Sequence, residues 1–326
     1  MKVLVTNDDG VGSAGLHALV RALVDAGHDV VAVAPDRDMS GSGAAIGRIH
    51  ADDHIDAEPV DLPGLPGVTA YAVDGPPGLC VLAARLGGFG APPDVVVSGI
   101  NPGCNTGRAV LHSGTVGAAL TAANFGMRGL AVSIDVVSRL VHEQAGGAVA
   151  PGGDGDAPVI EVVDAPEGTG TGGTGPGGIG RPGHHRDGGG TDADGESDER
   201  PGVPEHWDTA AAVAVGALAW LLDSPKGTVL NLNVPDLPAS KLAGTRQATL
   251  APFGTVRSTV VESAEHGGRL QVELRPTTET LPPGCDTALV AAGFVAVSAI
   301  SGIRVDGELD VTGALAHVDD LVGATP

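Results

Sequence analysis

The stretch Lys2-Val3-Leu4-Val5-Thr6-Asn7-Asp8-Asp9-Gly10 decides the fold. Four β-favouring residues run into two adjacent carboxylates and a glycine turn, and a helical apolar pattern begins at Gly15-Leu16. A buried strand that delivers polar residues to a turn before a helix is the opening unit of an open α/β sheet. Such sheets bind ligands outside the carboxyl ends of their strands. Two neighbouring acids at that place repel each other unless a positive charge sits between them. A hard divalent cation with oxygen ligands is one solution. The other is local: Asp8 caps the following helix and Asp9 fills the turn.

Working outward, the same alternation continues. Leu16, Leu19, Val20, Leu23 and Val24 form a stripe at helical spacing, ended by Gly27. Asp29 to Ala34 reads as a second buried strand, Asp94 to Ser98 as a third, Thr115 to Phe125 as a helix of small residues and Gly129 to Ser133 as another strand. Continuous apolar strands alternating with helices predict a mostly parallel sheet covered on both faces. The pattern changes in 143–206, which is rich in Gly, Pro and acids and poor in large apolar residues. It cannot bury enough surface to offset its ordering entropy and is expected to be a disordered insertion. Its His184-His185 pair is expected to be incidental. From Trp207 the chain predicts a helix over 208–222, a strand over 228–234, a β-hairpin within 245–275, a strand over 293–298 and a helix over 312–322. The expected organisation is therefore an α/β core in 1–142, the insertion in 143–206, and completion of the core plus a hairpin and a C-terminal segment in 207–326.

Composition narrows the function. With 40 acidic against 18 basic residues the net charge is −22, which argues against a nucleic-acid duplex or an anionic membrane surface as partner. Three scattered cysteines without a CxxC pair fit a reducing compartment, and the chain enters a strand pattern without a signal-like segment, so a cytoplasmic protein is expected.

Three further loops follow strand ends: Ala34-Pro-Asp-Arg-Asp-Met-Ser40-Gly41-Ser42-Gly43, Ser98-Gly99-Ile100-Asn101-Pro102-Gly103-Cys104-Asn105, and His112-Ser113-Gly114-Thr115 at a helix start. Glycine turns let backbone approach a ligand closely, and a helix N-terminus with hydroxyls is an anion site. Individually Ser40 can be a turn residue, Asn101 a left-handed turn position and Ser113 a plain N-cap. Jointly they place carboxylates, a hydroxyl, an amide and an anion cradle at one end of one sheet, a combination that suits a divalent metal holding a phosphate. His112 can serve as a general acid for a leaving alcohol or as a rim histidine making a hydrogen bond.

These motifs, in this order, resemble the SurE family of metal-dependent 5'(3')-nucleotidases. The resemblance runs through Val5-Thr-Asn-Asp-Asp-Gly10, Ala34-Pro-Asp-Arg-Asp-Met-Ser-Gly41, Val97-Ser-Gly-Ile-Asn101 and Ser113-Gly-Thr-Val116. It resumes at Asn231-Leu-Asn-Val-Pro235, at Asp286 and at Gly293-Phe-Val. It implies a three-layer α/β/α Rossmann-like sheet with a C-terminal hairpin and helix extension. It also implies one divalent cation per subunit, Mg²⁺ or Mn²⁺, on Asp8, Asp9, Ser40 and Asn101, with Asp8, Asp9 and Asn101 in the catalytic set. Asn7, Ser113, Gly114 and Thr115 would lie around the phosphate. The implied reaction is hydrolysis of nucleoside 5'- or 3'-monophosphates through a metal-activated water, in a homodimer or homotetramer. The chain departs from the family wording at Gly75-Pro-Pro-Gly-Leu-Cys80, Ala44, Ala45, Gly47, Thr121, Ala122 and Ala299. A drifted nucleotide-binding or scaffold paralogue is therefore the alternative. A sugar-nucleotide transferase would need an acceptor domain that the chain after 207 is too short to supply.

Overall fold

The computed structural model describes residues 1–47, 54–135, 203–252, 256–262, 271–276 and 281–302. The greater part of the expected insertion, including His184-His185, and the expected helix over 312–322 lie outside the described residues.

The opening stretch forms β1 (Lys2–Thr6), followed by α1 (Ala14–Asp25) and β2 (Asp29–Pro35). A short edge strand β3 (Ala57–Pro59), then β4 (Thr69–Val73), α2 (Pro77–Arg85) and β5 (Val95–Pro102) come next. They lead to α3 (Gly114–Asn124), β6 (Arg128–Asp135), α4 (Trp207–Asp223) and β7 (Val229–Pro235). The last part adds β8 (Gly244–Gln247), β9 (Val256–Glu262), β10 (Gln271–Pro276), α5 (Asp286–Ala291) and β11 (Phe294–Ile300). Nine strands make one sheet in the order β3-β4-β2-β1-β5-β6-β7-β11-β8, and β9 and β10 pair separately as an antiparallel hairpin. From β4 to β7 every neighbour is parallel, while β3 and β11 run antiparallel to β4 and β7.

The alternation within β1 builds the layers. Val3 and Val5 join Leu16, Leu19 and Leu23 of α1 and Leu218 and Leu221 of α4 in one apolar layer. Leu4 points the other way, among Val31, Val96, Leu79 of α2 and Ala118 of α3. This is the period-two geometry of a strand buried on both faces, and it gives the three-layer α/β/α arrangement.

The chain builds β1, β2 and β4 outward in one direction, then returns to place β5 on the other side of β1. The crevice between the ends of β1 and β5 is therefore the topological switch point. Opposite β6, Ser98 pairs with Ala131 but Asn101 pairs with Ser133, so β5 carries one extra residue in a bulge. Gly99 makes the bulge possible. Its φ is +134°, and a Cβ there would stand 2.3 Å from the Val132 carbonyl oxygen.

Glu205 and His206, which the sequence assigns to the insertion, are part of the folded unit. Asp236, fully buried, accepts from the amides of Glu205 at 3.1 Å and His206 at 2.8 Å, and its carboxylate lies 3.0 Å from His206 Nδ1. The folded unit thus includes residues before Trp207, which supply the donors that the buried Asp236 carboxylate needs. Among the described residues, no helix is long and apolar enough to cross a membrane.

Leu19 is fully buried between α1 and the sheet, whereas Val24 on the same helix is 37% exposed. Leu19→Ala should lower the unfolding free energy by about 2–5 kcal/mol through lost burial and a residual cavity, and Val24→Ala by less than about 1 kcal/mol. Urea denaturation of both variants checks this pair.

Candidate metal and phosphate site

Asp8, Asp9, Ser40, Asn101 and Ser113 line one cleft of about 270 Å³ at the switch point, together with Asn105 and His112 among others. They arrive on three strand ends and on the N-terminus of α3. β1 supplies the acidic pair. The loop after β2 brings Ser40 and is tied to β1, because the Met39 amide donates to the Asp8 carbonyl at 2.7 Å. Ser40 is held in place by Asp38, whose carboxylate accepts from its amide at 2.8 Å and its hydroxyl at 2.6 Å. These bonds hold the Asp38 carboxyl below its ordinary value. The β5 bulge delivers Asn101, whose amide nitrogen donates to the Gly103 carbonyl at 2.7 Å. That leaves its side-chain oxygen for a ligand.

Asp8 is 3% exposed. Burial leaves its carboxyl raised, with the Thr115 hydroxyl and the amides of Thr115 and Gly114 opposing that rise in part. The Thr115 hydroxyl donates to Asp8 Oδ1. Asp8 thus sits on the N-terminus of α3, where amide donors and the helix dipole favour an anion. Gly114 makes that approach possible. A Cβ there would be 2.7 Å from Asp8 Cβ, Asp8 Oδ2 and Ser42 Oγ alike.

Asp9 lacks that support. Burial first, then the charges of Asp8 and Asp38, push it up to about 7. Its protein contact is weak, with Asn7 Nδ2 at 3.5 Å from Oδ2. Among the described residues no Lys, Arg or His forms an ion pair with either carboxylate. Nor does any cluster of three or more His, Cys, Asp and Glu occur there. A cation in the cleft would meet two carboxylates, a hydroxyl and an amide oxygen. This all-oxygen set suits Mg²⁺ or Mn²⁺ and would relieve the repulsion that raises Asp9. The buried Ser42 hydroxyl beside Asp8 has no hydrogen-bond partner, a further unspent polar group next to the pair. The residues present fit such an ion.

The structure separates the residues expected around a phosphate. Ser113 lines the cleft; it accepts from the Val116 amide at 3.1 Å as N-cap of α3, which leaves its own proton free to donate. Asn7, Gly114 and Thr115 stand behind the acidic pair. Asn7 is fully buried and donates to Ser13 Oγ at 2.6 Å, at the N-cap of α1. Thr115 is spent on Asp8.

Two supports come from the later part of the chain. Asn105 donates through its amide to Asn233 Oδ1 at 2.8 Å and through its side chain to Ser133 Oγ at 2.8 Å. Its carbonyl accepts from Asn231 at 2.8 Å and Asn233 at 3.0 Å. The signal was Asn at alternate positions of a buried strand, which places both on one face. Asp286, fully buried, accepts from the amides of Gly107 at 2.8 Å, Ala251 at 2.9 Å and Thr287 at 2.8 Å, and so pins the turn that leads to His112. The departures from the family wording also meet. A Cβ on Gly78 would lie 2.5 Å from the Ala45 carbonyl oxygen and 3.4 Å from Thr121 Oγ1. Gly78 of α2, Thr121 of α3 and the Ala45 backbone therefore meet in one place.

Gly114→Ala should displace the Asp8 carboxylate or push α3 away, lowering the melting temperature by several degrees. Gly12→Ala, where a Cβ meets nothing within 4 Å, should leave it within about 2 °C. Thermal unfolding followed by circular dichroism compares the two.

The family model for survival protein SurE matches residues 3–151. The 5'-nucleotidase SurE of Nostoc sp. is 42% identical over 134 residues, 41% of this chain and 49% of that protein, so the chain spans about half the length of that relative. The 5'-nucleotidase SurE of Stenotrophomonas maltophilia is 29% identical over 306 residues, 92% of this chain and 89% of that protein. The crystal structure of the SurE protein from Aquifex aeolicus superposes with a TM-score of 0.64 at 21% identity, covering 98% of this chain and 100% of the other, and shares the fold. The chain is therefore similar to SurE proteins, through the family model over residues 3–151 and through an alignment over nearly its whole length.

Proposed function

We propose that this chain is a divalent-cation-dependent phosphomonoesterase that hydrolyses nucleoside monophosphates to nucleoside and phosphate. The observation that carries the reading is the meeting of Asp8, Asp9, Ser40, Asn101 and Ser113 in one cleft at the switch point. The relatives named 5'-nucleotidase SurE support the substrate class.

Asp8, Asp9, Ser40 and Asn101 would hold the cation, Mg²⁺ or Mn²⁺. When bound, that ion supplies Lewis-acid polarisation of the phosphoryl oxygens and activation of water. The protein's own part is positional. Asp8, locked by Thr115 and the first amides of α3, keeps one carboxylate fixed, and Asn7 holds the turn against the N-cap of α1. The Ser113 hydroxyl faces the cleft as a donor to an equatorial phosphoryl oxygen, where charge builds as the phosphorus–oxygen bond breaks. A cytoplasmic setting belongs to the same proposal and agrees with three free thiols at Cys80, Cys104 and Cys285. A homodimer or homotetramer is carried over from the family resemblance alone.

The test is release of inorganic phosphate from AMP and GMP with Mn²⁺, with and without EDTA, by wild type and Asp9→Asn. Wild type should release phosphate, EDTA should stop it, and Asp9→Asn should lose nearly all of it while keeping its circular dichroism spectrum. Release that survives EDTA, or is unchanged in Asp9→Asn, contradicts the proposal.

A further inference from the structure

We infer that His112 is the catalytic acid that protonates the departing nucleoside oxygen. This rests on the phosphomonoesterase reading above and adds a step that the ligand set leaves unserved. Hydrolysis of a phosphomonoester breaks the bond between phosphorus and the ester oxygen, and the bonding pair leaves with that oxygen. A ribose hydroxyl is a weak acid, so its oxygen must take a proton as the bond breaks. Water supplies the new oxygen on phosphorus and loses a proton in doing so. His112 gives one proton to the nucleoside oxygen and regains one from solvent, so the net reaction is ester plus water to alcohol plus phosphate.

The cleft offers few donors for that proton. Its titratable lining side chains are Asp8, Asp9 and His112. Asp8 is bound to Thr115 and to the N-terminus of α3, and both acids belong to the candidate ligand set. Ser40, Asn101 and Asn105 are neutral groups that do not exchange protons near neutral pH. Histidine is the side chain whose ordinary range brackets that pH.

The backbone at His112 is held while its ring is free. Its amide donates to the Ala109 carbonyl at 2.9 Å, and its own carbonyl accepts from the Gly43 amide at 3.1 Å. Gly43 packs closely there: a Cβ would lie 3.2 Å from the Leu111 carbonyl oxygen. The start of the turn is pinned by the buried Asp286 through the Gly107 amide at 2.8 Å, and the next residue, Ser113, caps α3. Among the described residues, neither ring nitrogen of the exposed His112 has a hydrogen-bond partner. A rim histidine kept for structure would be expected to spend a nitrogen on the protein, as His17 and His206 do at 3.0 Å each. His112 spends none and faces the cleft.

The experiment compares leaving groups. Nitrophenolate departs without help, whereas a nucleoside oxygen does not. Turnover of AMP and of p-nitrophenyl phosphate is measured for Mn²⁺-loaded wild type, His112→Ala and His112→Gln, and calorimetry follows the binding of Mn²⁺ and of inorganic phosphate to each. The expected result is a fall of about 100-fold or more on AMP in both variants, a much smaller fall on p-nitrophenyl phosphate, and unchanged Mn²⁺ and phosphate affinities. An equal fall on both substrates, no fall on AMP, or recovery of AMP turnover by the glutamine variant overturns the assignment. Failure of wild type to release phosphate from either substrate would instead sink the phosphomonoesterase reading, and the role of His112 with it.

Discussion

A carboxylate at the end of β1 caps the helix that begins over 100 residues later. Asp8 accepts from the Thr115 hydroxyl and from the first amides of α3, and Gly114 supplies the space that lets the two meet. Burying a lone carboxylate is costly, and this cost is offset only where donors already point inward. The helix N-terminus provides them at fixed positions. One bond system therefore orients Asp8, seats α3 on the sheet and places Ser113 at the cleft wall. Asp9, one residue on, has no such set, which is why burial and its acidic neighbours raise it to about 7. The asymmetry leaves one carboxylate fixed by the protein and one with only a weak contact to Asn7.

The remaining supports converge on the same crevice from elements far apart in sequence. The β5 bulge at Gly99 turns Asn101 into the cleft. Asn231 and Asn233 of β7 hold the Asn105 loop, and Asp286 holds the turn before His112. Asn231, Asn233 and Asp286 are buried polar side chains that bond to backbone groups of these loops. Such networks cost stability when broken and fix geometry when complete. The later part of the chain, although separated by residues 136–202, is thus required to shape a cleft whose candidate ligands lie in the first 101 residues.

Much of this was legible from the residues. The buried strands β1, β2, β5, β6 and β7, the stripe of α1 and the small-residue helix α3 announce themselves through periodicity, since each packs a continuous apolar face. The elements that escaped notice lack that signal. The short edge strand β3 carries Glu58 and Pro59 exposed, and α2 opens on Pro76-Pro77-Gly78 without a side-chain cap. The helix α5 is a single short segment behind Asp286. At the site, motif order named the residues, but spacing alone could not say which would face the cleft. The resemblance implies Asn7, Gly114 and Thr115 around a phosphate, the last two at the N-terminus of α3. In the fold the anion at that terminus is Asp8, a pairing between residues more than a hundred positions apart that no local pattern reveals.

The central claim is that Asp8, Asp9, Ser40 and Asn101 enclose one divalent cation. Anomalous diffraction from crystals of this protein grown with Mn²⁺ tests it most directly. The account predicts a single strong anomalous peak within about 2.0–2.6 Å of oxygens from these four residues or their bound waters. A peak elsewhere with this cleft empty, or none at saturating Mn²⁺, would contradict it.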